Sequence, residues 1–124
     1  MSKRRGWDEG AVAVEGAIAL GVLITLALGI IEFGIAFYNL NTMQLVIEEV
    51  GRYAMVNCSG DTSCGGAVTY GTRVLGNYSV MNGAVSASYS GSGPTMMTIT
   101  GSFTTLNLLV TVPAMSTQIT VPLT

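Results

Sequence analysis

Sixteen consecutive residues, Gly16 to Ile31, carry no charge and only one hydroxyl, that of Thr25. Such a run must be withdrawn from water, into lipid or into protein. As a helix it covers about 24 Å, and extension to Tyr38 reaches roughly 35 Å, enough for a hydrocarbon core of about 30 Å. Glu32 interrupts that extension, so it is expected at the outer boundary of a bilayer or against a protein partner. Phe33, Phe37 and Tyr38 suit an interfacial aromatic cluster.

Charge placement orients the span. Lys3, Arg4 and Arg5 precede it, and no Lys or Arg follows until Arg52. The positive-inside rule puts the N-terminus in the cytoplasm and everything beyond the span on the exported side. A cleaved secretory signal would end after an apolar region of about 7–15 residues. Here the helical pattern runs on. Leu40, Met43, Ile47, Val50 and Ala54 recur in steps of three and four, while Asn41, Thr42, Gln44, Glu48, Glu49 and Arg52 fall on the other faces. The reading is one helix over 11–57, membrane-spanning over 11–38 and amphipathic over 39–57, preceded by a polar leader over 1–10.

Residues 58–124 differ in kind. They are rich in Gly, Ser and Thr, and Arg73 is the only charged side chain from Ala67 onward. Ala67–Leu75 suggests a short helix. Val85–Tyr89, Met96–Phe103 and Gln118–Leu123 read as strands, with a turn at Ser90–Pro94 and Pro122 at an edge or an end. Leu106–Val112 fits a strand or a short buried helix equally. The fold class is α+β: a long N-terminal helix followed by a small antiparallel β domain packed on its amphipathic part.

The chain has two cysteines and no histidine. Cys58 and Cys64, with five residues between them in a Gly/Ser loop just beyond the helix, read as a disulfide loop in an oxidising compartment rather than as metal ligands. A charged fraction of 10% and a net charge of -2 leave no basic surface for nucleic acid. No base stands near the many hydroxyls, and no carboxylate side chain follows Asp61, so neither an enzyme nor a cofactor is expected.

A second pattern lies at the helix start. Gly10-Ala11-Val12-Ala13-Val14-Glu15 sets a glycine directly before the apolar run and a carboxylate five residues after it. This resembles the processing site of type IV prepilins, where a membrane peptidase cuts after the glycine. The resemblance implies Ala11 as the first mature residue, with Glu15 pairing with the terminal amine of a neighbouring subunit. A glutamate within an apolar helix is costly without such a partner; the alternative is a carboxylate near the cytoplasmic interface. Ala13, Ala17, Gly21, Thr25 and Gly29 recur every four residues, either as a ridge for close helix packing or as ordinary membrane-helix composition.

The opening hexapeptide, the closing Gly29-Ile-Ile-Glu32-Phe33-Gly34, then Phe37-Tyr38 and the stretch Ile47–Ala54, together resemble the TadE-like family of the tight-adherence (Tad/Flp) pilus. The resemblance covers about residues 10–57. Gly16, Gly21 and Ile35 depart from the family's usual bulky residue, proline and arginine. It implies a minor pilin or pilus-assembly protein of the bacterial inner membrane, later reaching the pilus or cell surface. Its partners would be other pilin subunits, a prepilin peptidase, the assembly platform and the bilayer. The rival reading is an unprocessed single-span binding or sensor module with an exported β domain.

Overall fold

The computed structural model describes residues 5–58, 64–78, 80, 82–90, 96–105, 109, 111 and 113–123, with side chains from residue 10 onward, that of residue 90 excepted. The expected turn at 90–94 lies almost wholly outside these residues, as does most of 106–112. Five elements follow in order: α1 (Arg5–Asn57), α2 (Gly65–Tyr78), β1 (Ala84–Ser90), β2 (Met96–Phe103) and β3 (Met115–Pro122). The long helix is therefore unbroken, and it begins six residues before the expected Ala11. Its 53 residues give a rod of about 80 Å. At its end, Asn57 donates its side-chain amide back to the Tyr53 carbonyl at 2.9 Å.

The three strands form an antiparallel sheet in the order β1-β2-β3. β2 matches its expected limits, and β3 starts three residues earlier than Gln118 and ends at Pro122 on a sheet edge. There a proline's missing N–H costs no ladder hydrogen bond. Period-two alternation divides the sheet. Val85, Gly101 and Thr117 share one row of the inner face; Ala87, Ile99 and Ile119 the next; Tyr89, Met97 and Val121 the third. The outer face carries the rows Ser86, Thr100, Gln118 and Ser88, Thr98, Thr120, all hydroxyl or amide and none charged. Thr98 and Thr120 hydroxyls lie 3.1 Å apart across β2 and β3.

The inner face packs on the amphipathic part of α1. Met43, Val46, Ile47, Val50 and Ala54 are buried with Met97, Ile99, Phe103 and Val121. Four of the five seam residues expected from the helical spacing, Met43, Ile47, Val50 and Ala54, are thus in the core, and Leu40 packs at its margin. Two expectations for the other faces are corrected. Thr42 is buried, its hydroxyl donating to the Tyr38 carbonyl at 2.8 Å. Glu49 is half-buried and accepts from Tyr70 of α2 at 2.6 Å. Helical spacing alone cannot foresee that contact, because it depends on where α2 lies. Met97 fills the core, Met115 is partly buried, Met96 is exposed, and Met81 lies outside the described residues.

α2 joins α1 through two features. Tyr53 and Tyr70 stack with ring centroids 4.5 Å apart. Gly71 sits where an added Cβ would come within 3.0 Å of Val50 and 3.1 Å of Val85, so its lack of a side chain lets α2 approach both α1 and β1. The Glu49 carboxylate's hydrogen bond, with some burial, holds the Tyr70 hydroxyl pKa above the usual tyrosine value.

Candidate functional site

The surface of α1 changes character along its length. From Gly10 to Ala27 every residue is exposed, including Val12, Val14, Ile18, Leu20, Val22, Leu23, Ile24 and Leu26. An apolar surface this long is not tolerated in water, and α1 is long and apolar enough to cross a membrane. Coverage begins at Leu28 and Gly29, which are half-buried, and Glu32 is buried. The C-terminal domain therefore clasps the helix from Glu32 through Cys58 and leaves the preceding run bare.

Each residue singled out from the sequence has a definite place on this rod. Gly10, Ala11 and Glu15 lie on the exposed N-terminal part of α1; Ala11 and Glu15 were expected within the helix, and Gly10, expected ahead of it, lies within it too. Ala13, Ala17, Gly21 and Thr25 are exposed, and Gly29 is half-buried. Gly21 and Gly29 have open space where a Cβ would sit, and the Thr25 hydroxyl donates to the Gly21 carbonyl at 2.9 Å, satisfying itself within the helix. The ridge is thus free of the chain's own domain over its first four members. Cys58 and Cys64 stand at disulfide distance with Cα atoms 5.4 Å apart, both buried, one at the end of α1 and the other just before α2.

Glu32 is the residue whose surroundings the sequence foretells least. It is 3% exposed, and its Oε2 accepts the backbone N–H of Leu109 at 3.3 Å. The two lie 77 positions apart in the chain, so no local pattern marks the contact. Above Glu32 the clasped face of α1 buries the small Ala36, then the polar Asn39 and Thr42, and becomes apolar from Met43. Amphipathic spacing does not predict this polar collar. Among the described residues no group of histidines, cysteines and carboxylates is arranged to hold a metal ion.

The described residues form a bare apolar rod with one carboxylate near its start, and a compact domain around its far half. The family model described as TadE-like protein matches residues 10–57, which is α1 from the glycine of the hexapeptide to its last residue. No curated protein and no solved structure matches the chain.

Proposed function

Starting from a TadE-like helix over residues 10–57, we propose that this chain is a minor pilin or assembly protein of a Tad/Flp-type pilus. A peptidase would cut after Gly10, and the helix would then pack among other pilin helices. The observation carrying this reading is the bare apolar run from Ala11 to Ala27, with Glu15 on its surface. Bilayer and filament core both satisfy such a surface, and exchange between them needs no rearrangement of the clasped domain. A free amine at Ala11 gives Glu15 of a neighbouring copy a cation in an apolar setting, where an unpaired carboxylate is costly. The burial of Glu32 supports a proposed outer boundary of the span at Ile31, short of the expected Tyr38. Residues 11–31 give about 31 Å of helix, matching a hydrocarbon core better than a boundary at Tyr38.

One observation favours the rival single-span module. Gly10 lies inside a helix that starts at Arg5, so the scissile bond is not in an open segment. The two readings separate on mass. Cleavage removes Lys3, Arg4, Arg5, Asp8 and Glu9, leaving two basic and five acidic side chains, a net of -3 instead of -2. By intact mass, protein from its native membrane should begin at Ala11. Gly10→Leu should abolish the shortened form, and Glu15→Ala should leave cleavage intact while reducing assembly. A chain retaining its leader throughout would defeat the pilin reading and leave the single-span module.

A further inference from the structure

The domain clasps α1 on one side, and the opposite side stays bare well past the apolar run. We propose that this back face is one half of a parallel two-helix seam, and that its occupant is α1 of a second copy of this chain. The proposal rests on α1 spanning the bilayer and is independent of whether the leader is removed.

Spacing carries it first. Gly34, Tyr38, Asn41, Leu45, Glu48, Arg52 and Met55 follow one another in steps of four and three, and all are exposed. That is the 3.5-residue repeat of a left-handed coiled coil. It lies on the other side of the helix from Met43, Ile47, Val50 and Ala54, which are committed to the domain core. Leu45 is 59% exposed and Tyr38 58%, and the adjacent Phe37, Gln44 and Val56 are exposed too, so the chain's own domain does not close over the stripe. The same steps run back into the apolar run through Ile31, Ala27 and Ile24, also exposed. The stripe therefore leaves the membrane without a break and reaches about 32 Å from Gly34 to Met55. Gly21, Thr25 and Gly29 lie off it, so it is a different face from the every-fourth-residue ridge.

The charges identify the occupant. Two copies anchored in one bilayer share an orientation, so their α1 helices meet parallel. In register, each seam side chain packs between the seam positions before and after its own level on the partner. Glu48 of one copy then meets Arg52 of the other, and Arg52 meets Glu48, two reciprocal pairs supplied by symmetry. Among the described residues, no hydrogen bond or ion pair engages either side chain within its own chain. The two Glu48 carboxylates also approach each other, which makes the pairing depend on the arginines. Asn41 sits one repeat before Glu48 and meets its own image. A polar side chain inside a coiled-coil seam fixes register at a cost in stability. Here it keeps Glu48 level with Arg52. An unrelated helix would need a matching base and acid at the same two levels, and lipid does not reach Leu45 beyond a boundary at Ile31.

The test uses the full chain, in two differently tagged versions, as the sole protein in phosphatidylcholine vesicles. Benzoylphenylalanine replaces Tyr38, or Leu45 as an independent probe, and Thr98 on the outer sheet face serves as the control. Ultraviolet light should join the two tagged versions from positions 38 and 45 and not from 98. Glu48→Arg or Arg52→Glu, both at exposed positions that leave the core intact, should each lower the yield several-fold. Mixing the two variant chains should restore it, because the mixed pair has opposite charges at both levels. Gly21→Leu should leave it unchanged. No joining of copies at either 38 or 45 would overturn the second copy as occupant, whatever these positions capture in the native membrane. Yields indifferent to the charge reversals, or not restored by mixing, would overturn the register. Release of the chain from vesicles by alkaline carbonate would overturn the span, and the seam with it. A chain that keeps its leader yet joins from 38 and 45 would bear out the seam while defeating the pilin reading.

Discussion

At the scale of single residues, Gly101 is the tightest glycine among those described. A Cβ built there would stand 2.5 Å from the Met43 sulfur, 2.7 Å from its Cγ and 2.9 Å from Ile47. Met43 is fully buried, so it has no free volume into which to retreat. Gly101→Ala should destabilise the C-terminal domain by about 1–3 kcal/mol through overpacking. Gly76→Ala is the natural comparison, because that helical glycine has nothing within 4 Å of the added carbon, and it should be neutral or stabilising. Urea unfolding of both variants in detergent checks the contrast; equal stabilities would show that β2 can lift off α1 without cost. Neither glycine's role was legible in the sequence. The alternating strand pattern puts residue 101 on the inner face, but only the register against Met43 explains why that position excludes even a methyl group.

At the scale of elements, α1 and α2 are held by the tyrosine stack, by Tyr70 on Glu49, and by the cysteine pair at their junction. Alkylation of the denatured, unreduced protein should leave Cys58 and Cys64 unlabelled, and labelling should appear after reductant; labelling before reductant would refute the bond. Helical and strand periodicities made α1 and the three strands readable, because each follows from which side chains must leave water. The extra length of α2, reaching Tyr78 rather than Leu75, was not readable, because glycines at 71 and 76 weaken the helical signal that tertiary packing then overrides. The Glu32–Leu109 contact was hidden for another reason. It joins a residue named for its charge to a backbone amide, and a backbone amide has no signature in composition.

For the molecule as a whole, association is the property at issue. Gly21 faces open space in the single chain, so Gly21→Leu adds no internal clash and leaves the span at least as apolar. If the small-residue ridge seats a neighbouring helix, photo-crosslinking between copies in the membrane should fall several-fold in this variant while insertion is unchanged. Undiminished crosslinking would reduce the ridge to composition. A last consequence follows from the unbroken course of α1, whose residues 11–27 lie bare and whose later residues form the inner wall of the domain core. With no joint between the two parts, the domain inherits every tilt and rotation of its stem. From Ile31 to Asn57 the rod extends about 39 Å, so a lean of about 10° in the anchor swings the far end by about 7 Å. Anything that packs against the stem within the membrane thereby steers the direction in which the uncharged sheet looks, as a tiller sets a rudder.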